Sequence, residues 1–398
     1  MNQPSNPGAG SAGGAASAPA QTFPCKNCGA QLAYDAASRG MACQFCGYKD
    51  AVAAQATNAQ MQASYGGPPS ATIREIALEE GLAIIARGAG AMQASVTNVT
   101  CKDCGATVNV GEGERTTSCA FCGSKQVLSQ QTNDQPIRPE SMVPFAIPKD
   151  DANKRFAAWL SALWFRPSDL KRIAKVQEMG GVYVPYWTFA SDVSSQWNAE
   201  RGYYYYETES YTANENGQNV QRTRQVQRTR WESAWGTRQD SYRDVLVCAG
   251  RGLPEDLVAK LASFNCRQLV PYEPRFLAGW RAESYALDLN PGWGRGQQLI
   301  AEQQTARCAR DVGGDTHRNV NVSNQFSQVT FKHVLLPIWI AAYRYNGKVF
   351  RFLVNGQTGE VVGKAPWSFW KIFFLVATIL IVIGIAIAIY YFTHQEDF

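Results

Sequence analysis

Histidine residues and catalytic motifs are scarce in this chain of 398 residues. The three histidines are His317, His333 and His394, so a catalytic centre built on histidine has few candidates. The sequence contains no phosphate-binding G-x-x-x-x-G-K-S/T loop, and it has neither a G-x-S-x-G nor an H-E-x-x-H motif. We therefore predict that the protein is not an enzyme, since no ATPase, helicase or hydrolase motif is present.

Two other segments resemble functional loops without completing a motif. Asp311-Val-Gly-Gly-Asp315-Thr-His317 gathers two acids and a histidine but has no partner histidine, so we interpret it as a polar turn. An enzyme built around this segment is the third of three functional hypotheses. The glycine-rich segment 292–296 follows Asn290-Pro291, and this context predicts a loop.

The chain also lacks a strong net charge and a disulfide framework. The formal net charge of +5 permits contact with an anionic surface but does not require nucleic acid. Of the eleven cysteines, Cys248, Cys266 and Cys308 lie outside the two groups described next, and a secreted disulfide framework rarely leaves an odd number. We interpret these three as small core residues and predict a reducing, cytosolic compartment for the soluble part.

Two cysteine quartets share one spacing. The first is Cys25-Lys-Asn-Cys28-Gly with Cys43-Gln-Phe-Cys46-Gly, and the second is Cys101-Lys-Asp-Cys104-Gly with Cys119-Ala-Phe-Cys122-Gly. In each Cys-x-x-Cys-Gly knuckle, two thiolates lie on one side of a tight turn that the glycine permits, and backbone amides can point at the sulfurs. Two facing knuckles supply four thiolates, a closed tetrahedral set that suits Zn²⁺.

The closed ligand sets predict two structural zinc ions, one in each ribbon. Four protein ligands leave no open position for a substrate, and each segment is too small to fold by core burial alone. A rubredoxin-type iron site would use the same ligands, and a thiol–disulfide role for the Cys-x-x-Cys pairs is a further alternative. The predicted metal ligands are Cys25, Cys28, Cys43, Cys46, Cys101, Cys104, Cys119 and Cys122.

Composition shifts divide the chain into nine segments. They are a disordered tail (1–22), zinc ribbon 1 (23–50), a flexible linker (51–70), a short helix (71–94), zinc ribbon 2 (95–128), a linker (129–141), an α+β domain (142–366), a transmembrane helix (367–392) and a short exterior tail (393–398). The predicted fold class is therefore multidomain α+β, with two small zinc ribbons and one C-terminal transmembrane helix.

The α+β domain contains a possible internal repeat. Val143-Pro-Phe-Ala precedes a helical segment (152–163) and the strand Val182-Tyr-Val-Pro-Tyr-Trp-Thr-Phe. Val270-Pro-Tyr-Glu likewise precedes a helical segment (296–312) and the strand Val334-Leu-Leu-Pro-Ile-Trp-Ile-Ala. A proline inside each strand predicts a sheet edge or a bulge.

A long hairpin is predicted between the two halves of this domain. Gly202-Tyr-Tyr-Tyr-Tyr-Glu-Thr-Glu and the strand 220–231 are joined through Asn216-Gly217, a type I′ turn signal. Folding there sets Glu209 opposite Arg224 and Tyr205 opposite Arg228, so cross-strand pairing explains the composition without a ligand. The candidate anion-binding residues share one face of the second strand, and they are Arg222, Arg224, Arg228 and Arg230.

One long uncharged run, from Ile372 to Phe392, is the predicted membrane span. About 20 apolar residues cross the hydrocarbon core as a helix. Positive charge precedes the run at Lys364 and Lys371, which predicts a cytoplasmic N-terminal part and a C-terminus outside. The sequence thus predicts a tail-anchored, single-pass protein of the inner membrane. Aromatic residues suited to the two interfaces flank the run, namely Trp367, Trp370, Tyr390 and Tyr391.

Together these motifs resemble a bacterial family of uncharacterised, membrane-anchored double zinc-ribbon proteins. The motifs are the two ribbons, Val184-Pro-Tyr-Trp-Thr-Phe, Arg201-Gly-Tyr-Tyr-Tyr, the segment 332–345 and Phe352-Leu-Val-Asn-Gly-Gln-Thr-Gly-Glu. Members are often labelled TFIIB-type zinc-ribbon protein, or primosomal protein N-prime, superfamily II helicase. The second label implies an ATP-driven motor, whose phosphate loop and DEAD-type box this chain lacks. The resemblance implies that the eight cysteines are zinc ligands.

The leading functional prediction is a non-enzymatic membrane adaptor or scaffold, with ribbons on flexible linkers that bind a protein partner at the cytoplasmic membrane surface. Some members of the family that this chain resembles occur beside phage-shock and band-7 membrane-scaffold proteins, which implies partners of the membrane-stress or band-7 class as well as the lipid bilayer. The alternative is a membrane-tethered nucleic-acid-binding protein, associated with replication or transcription and without helicase activity. The ribbons carry no continuous basic stripe, which favours the adaptor.

Overall fold

The computed structural model describes residues 23–49, 73–87, 97–110, 119, 121–122, 124, 127–131, 137–167, 179–215, 218–261, 263–345 and 348–393. The predicted disordered tail and flexible linker (1–22 and 51–70), the Asn216-Gly217 turn and residues 394–398 lie outside the described residues.

The described residues form a mixed α+β fold that is mostly sheet. The strands are β1 Leu32–Asp35, β2 Gly40–Cys43, β3 Ile76–Ala77, β4 Thr97–Cys101, β5 Thr107–Val110, β6 Val127–Gln131, β7 Ser141–Met142, β8 Gly180–Glu215, β9 Gln218–Cys248, β10 Val270–Pro271, β11 Arg281–Glu283, β12 Thr316–Tyr345, β13 Lys348–Asn355 and β14 Val361–Gly363. The helices are α1 Leu78–Ala86, α2 Lys149–Ala162, α3 Glu255–Val258, α4 Leu289–Asp311 and α5 Phe369–Thr393, with 3₁₀ turns at Cys266–Gln268 and Pro274–Leu277.

Three very long strands form the centre of a twelve-stranded sheet. β8 pairs antiparallel with β12 from Gly180 to Gly202, and with β9 from Tyr186 to Glu215. The predicted strand 182–189 and the first strand of the predicted hairpin are therefore parts of one continuous β8, and the second strand of the hairpin is part of β9. The residues between these two parts of β8 mix polar and apolar types, and their buried positions alternate as a half-buried strand requires: Val193, Ser195, Trp197 and Ala199.

Register shifts interrupt the pairing of β8 with both of its long neighbours. Beside each shift lies a non-glycine residue with a positive φ angle, a conformation that these side chains seldom adopt. Such bulges increase the local twist and bend the strand. The residues are Asp244 (φ 54°), Asn319 (φ 55°) and Gln328 (φ 51°).

The two strand prolines lie inside the sheet, at positions where the neighbouring strand changes. Pro185 lies in the gap between the pairing of β8 with β11 and its pairing with β9. Pro337 lies between the pairing of β12 with β7 and its pairing with β13. On this side of each strand, the Pro185 carbonyl accepts from the amide of Ala249 and the Pro337 carbonyl accepts from the amide of Gly356, both at 2.9 Å. The missing N–H of each proline therefore faces a local edge, not the outer edge of the sheet.

Helix α4 packs across the long strands, and two glycines allow its close approach. The prediction of a loop at 292–296 is wrong, because α4 begins at Leu289 and Pro291 fits its first turn. A Cβ at Gly292 would lie 2.7 Å from Trp187, and one at Gly296 would lie 2.8 Å from Phe189. These glycines, one turn apart on the buried face, are the reason that the helix can lie directly on the aromatic rings.

The other predicted segments of the domain are present with altered boundaries. Within the predicted helical segment 71–94, the described residues 73–87 contain a short strand, β3, followed by α1, and β3 pairs with β12. The final predicted hairpin is β13 with β14. β7 and β11 pair parallel with β12 and β8, respectively, while β10 pairs antiparallel with β7. The internal repeat stays a prediction.

Both ribbons pack on the α+β domain, in contrast to the expected attachment through flexible linkers alone. Ribbon 2 extends the main sheet in the order β11-β5-β4-β6, and β6 continues to Gln131, beyond the predicted end of the ribbon. Ribbon 1, the β1–β2 hairpin, packs through Tyr34: its amide donates to the Ala278 carbonyl at 3.0 Å, and its carbonyl accepts from Trp280 Nε1 at 2.9 Å. The cysteine clusters are therefore parts of a larger folded body.

Candidate metal centres

Each predicted quartet is brought together as a compact cluster of four sulfurs. Within each group, all four Sγ atoms lie within 4.8 Å of one another. In ribbon 1 the Sγ distance is 3.6 Å for Cys25 and Cys46 and 3.5 Å for Cys28 and Cys43. In ribbon 2 it is 3.5 Å for Cys101 and Cys122 and 3.7 Å for Cys104 and Cys119.

These distances fit a metal ion with four thiolate ligands. A tetrahedral zinc–thiolate site with bonds of about 2.3 Å has sulfur–sulfur edges of about 3.8 Å. The four measured edges are 3.5–3.7 Å, so a central ion can be held with little movement of the side chains. The donor set is consistent with zinc.

The knuckle backbone has the geometry that sulfur coordination needs. Three knuckle glycines have positive φ angles, namely Gly29 (76°), Gly47 (72°) and Gly105 (73°). Backbone amides inside the knuckles also point at the sulfurs: Asn27 N lies 3.4 Å from Cys25 Sγ, and Phe121 N lies 3.4 Å from Cys119 Sγ. A side chain in place of glycine would strain this turn.

Hydrogen bonds also favour thiolate at one cysteine of each cluster. The amide of Tyr48, followed by the side chain of Asn27, lowers the pKa of Cys46 to about 6. The Cys104 thiol and the amides of Phe121 and Cys122 lower the pKa of Cys119 to about 5, although burial opposes this shift. The thiolate is the form that binds a metal, so these two cysteines are the first to reach it, while hydrogen bonds among the same sulfurs raise the pKa of their partner thiols Cys28 and Cys104.

The solvent exposure of the phenylalanine inside the second knuckle differs completely between the two ribbons. Phe121 of ribbon 2 is fully buried (0%), whereas Phe45 of ribbon 1 is 83% exposed. The thiols differ less: ribbon 1 has two exposed cysteines, Cys28 and Cys46, beside two buried ones, whereas ribbon 2 has no exposed cysteine. Two equivalent knuckles thus face different surroundings: one faces the domain and the other faces solvent.

Ribbon 2 is joined to the domain around the Phe121 ring. Phe121 lies over Gly252, where a Cβ would approach its Cδ1 to 2.5 Å. Glu283, on β11, holds the same loop because its Oε1 accepts from the amides of Arg251 at 2.9 Å and Gly252 at 2.7 Å. The amide of Ser284 donates to the Thr107 carbonyl of ribbon 2 at 2.9 Å.

Glu283 is a site residue that sequence reasoning missed. It is 3% exposed, and burial raises its pKa to about 7 against the opposing effect of the Gly252 and Arg251 amides. A single acid in a three-residue strand carries no sequence signal that separates it from a surface residue. Its position beneath ribbon 2 makes it part of the support for the second cluster.

The arginine hairpin has the predicted register, and three of its four candidate arginines contact carboxylates. Glu209 lies opposite Arg224 and Tyr205 opposite Arg228. Arg224 is 3.1 Å from Glu209, and Arg228 contacts both Glu209 and Glu207. Arg230 lies 3.3 Å from Glu232, and Arg222 lies opposite Tyr211. Cross-strand pairs account for the contacts of Arg224 and Arg228, whereas Arg230 contacts a glutamate of its own strand.

The segment 311–317 forms a turn whose acids make structural contacts. Asp311 is 2.8 Å from Arg238, and Asp315 Oδ2 accepts from the amide of Tyr204 at 2.8 Å. His317 lies on β12 opposite Arg201. The other cysteines lie elsewhere, with Cys308 fully buried and Cys248 and Cys266 half-buried.

Within the described residues, α5 is the one helix long and apolar enough to cross a membrane. The candidate span is Phe369–Tyr390, with a mean hydropathy of 3.2, and none of its most apolar window is buried against the rest of the chain. The predicted run began at Ile372, whereas the helix begins at Phe369, so Trp370 lies within it.

Comparison with known proteins leaves the family open. No family model and no solved structure matches the chain. Among curated proteins, the chain is similar to the uncharacterized protein YdjG of Bacillus subtilis (strain 168), with 27% identity over 239 residues. The similar region covers 59% of this chain and 66% of that protein, just under two thirds of its length.

Proposed function

We propose that the protein is a non-enzymatic, membrane-anchored adaptor whose first zinc ribbon binds a protein partner. The observation that carries this proposal is the 83% exposure of Phe45, against complete burial of its counterpart Phe121. Phe121 illustrates what a knuckle phenylalanine does when it has a partner, since it fills the space above Gly252. Phe45 offers the same aromatic group to another molecule, and buried aromatics of this kind are common anchors of protein interfaces.

The proposed metal in both clusters is zinc, with a structural role. Four thiolate ligands leave no open coordination position, so the ion holds the two knuckles together and has no site for a substrate. In ribbon 1 the metal would fix the turn that presents Phe45. In ribbon 2 it would fix the knuckle that packs on the domain.

The proposed location is the cytoplasmic membrane, with α5 as a single span and the bulk of the chain in the cytoplasm. Lys364 precedes the span and Lys371 lies in its first turn, whereas residues 393–398 contain no lysine or arginine, which supports this orientation. The proposed partner belongs to the membrane-stress or band-7 scaffold class that the family resemblance implies. A partner that already lies at the membrane would meet a tethered ribbon at a high effective concentration.

Affinity purification from solubilised membranes tests the proposal. Phe45→Ala and the ribbon variant Cys25→Ser/Cys28→Ser are compared with the wild type and with Trp235→Ala. Trp235 is a matched control because it is also 83% exposed but lies on β9. We expect a partner that is lost with Phe45→Ala and with the ribbon variant and retained with Trp235→Ala. Equal recovery of every partner from all four proteins would contradict the proposal.

The alternative proposal is a membrane-tethered nucleic-acid-binding protein that uses the arginine hairpin. Its support is that Arg224, Arg228 and Arg230 stay about half or more exposed while they contact glutamates. The predicted signature is an affinity for DNA or RNA that falls steeply with salt, and that weakens when all four arginines are replaced by alanine. Salt-independent or unchanged binding in an oligonucleotide titration would remove this alternative.

A further inference from the structure

The loop that follows α2, residues 163–167, is attached to the first turn of α5. The amide of Ser368 donates to the carbonyl of Phe165 at 2.8 Å. The Nζ of Lys371 donates to the carbonyls of Trp164 at 3.2 Å and Arg166 at 2.8 Å. One ammonium group thus holds two backbone carbonyls from a distant part of the chain, and this fixes the loop beside the helix.

Arg166 makes a second attachment at the same place. Its guanidinium carbon lies 3.9 Å from the centroid of the Trp367 ring, and its Nη1 donates to the carbonyl of Ala365. Ala365 is itself buried in the core at the base of the domain. Four residue steps separate Ala365 from Phe369, where α5 begins, so this core lies within about 15 Å of the start of the helix.

The loop and the start of α5 together present exposed aromatic side chains beside positive charge. The exposed fractions are 80% for Trp164, 65% for Trp367, 72% for Phe369 and 66% for Trp370. No acidic residue occurs in segments 163–167 and 364–371. Tryptophan beside arginine and lysine is the composition found where proteins meet the headgroup level of a bilayer, because the indole ring is both apolar and polar.

We propose that Trp164 and Phe165 are a second membrane contact, inserted into the headgroup region of the leaflet that α5 enters. This inference rests on the proposed membrane span of α5. The lipid surface is the occupant that the geometry favours, because α5 brings the same bilayer to within a short distance of the loop. Two points of contact would hold the base of the domain against the membrane and prevent it from rotating freely about a single helix.

Site-specific photo-crosslinking in lipid nanodiscs tests the proposal with the full chain. Trp164, Leu380 and Trp235 are replaced, one at a time, by the photoreactive residue p-benzoylphenylalanine. The nanodiscs contain phosphatidylcholine and phosphatidylglycerol, and adducts are identified by mass. Leu380 reports on the span, and Trp235 is a control of similar exposure on β9. An aromatic replacement at these exposed positions leaves the core unchanged.

We expect lipid adducts at position 380, and at least about fivefold more lipid adduct at position 164 than at position 235. Adducts at 380 with no excess at 164 would overturn the second contact while leaving the span intact. A crosslink from 164 to a second copy of the chain would overturn it in favour of self-association. Absence of adducts at 380 would overturn the span itself, and the inference with it.

Discussion

The ring of Phe121 lies so close to Gly252 that a Cβ at this glycine would be 2.5 Å from the ring Cδ1. Phe121 is a knuckle residue of ribbon 2, and Gly252 belongs to the loop that Glu283 holds through two backbone amides. The second metal cluster, the loop and the main sheet therefore share one packed contact.

This contact predicts different effects for the two knuckle phenylalanines. We expect Phe121→Ala to lower the free energy of unfolding by about 3–5 kcal/mol, because it empties a fully buried site. We expect Phe45→Ala to change it by no more than about 0.5 kcal/mol, because this ring is exposed. Denaturant unfolding of the full chain in detergent, followed by tryptophan fluorescence, measures both. Equal effects would mean that the two knuckles have the same surroundings.

Loss of metal should also act differently at the two clusters. We expect Cys101→Ser and Cys25→Ser each to reduce the bound zinc from two ions per chain to one, as measured by elemental analysis. Cys101→Ser should in addition expose the domain to proteolysis, because the ribbon 2 strands β5, β4 and β6 continue the main sheet from β11. Cys25→Ser should increase cleavage less, because ribbon 1 packs on the domain but adds no strand to the main sheet. A wild-type metal content of zero, or of iron, would contradict the zinc assignment.

Helix α4 offers a test of close packing with a control in the same turn. Gly296→Ala places a methyl group 2.8 Å from Phe189, and we expect a loss of about 1–3 kcal/mol from overpacking. Gly294→Ala meets no atom within 4 Å, and we expect a gain of up to about 1 kcal/mol from helix propensity. Thermal unfolding of the two variants should therefore shift in opposite directions. Shifts of the same sign would contradict the packing argument.

His333 predicts a dependence of stability on pH. It is fully buried, its Nδ1 lies 3.2 Å from the Ile137 carbonyl, and burial lowers its pKa from 6.5 to about 4. Because the folded state resists protonation, stability is present above pH 6.5 and is lost as the pH falls toward 4. The loss attributable to this residue between pH 7 and pH 5 is about 2 kcal/mol.

The variant His333→Asn isolates this contribution, because asparagine can donate to the same carbonyl and does not titrate. Thiolate protonation also destabilises the zinc sites in acid, so the informative quantity is the difference between wild type and variant. We expect the variant to lose less stability between pH 7 and pH 5 when both are followed by denaturant unfolding. Parallel pH profiles would show that His333 is not responsible.

The cysteine clusters and the apolar helix could be predicted from sequence because each is a local pattern. Four cysteines in two knuckles lie within about twenty residues, and the uncharged run is continuous. The packing of the ribbons could not be predicted in this way. It depends on Phe121 meeting Gly252 and on Tyr34 meeting Ala278, and these residues are far apart in the chain and share no motif.

Two outcomes at single residues have the same physical origin. Pro185 predicted a sheet edge or a bulge, and it lies at an edge that is local, in the gap between the pairing of β8 with β11 and its pairing with β9. Gly292 indicated a loop, but it lies in a helix that needs the absence of a side chain to reach Trp187. In both cases the tertiary neighbour, which sequence does not specify locally, overrides the residue's usual preference.

The long hairpin changes its construction at Gly202. Up to this residue β8 is supported by β12 and α4, whereas residues 203–215 pair with β9 alone over about 40 Å. Bending stiffness therefore drops sharply at Gly202. A force applied at the far end of the hairpin would bend the two-stranded part before it moved the base. The hairpin would therefore be flexible beyond Gly202 and stiff before it.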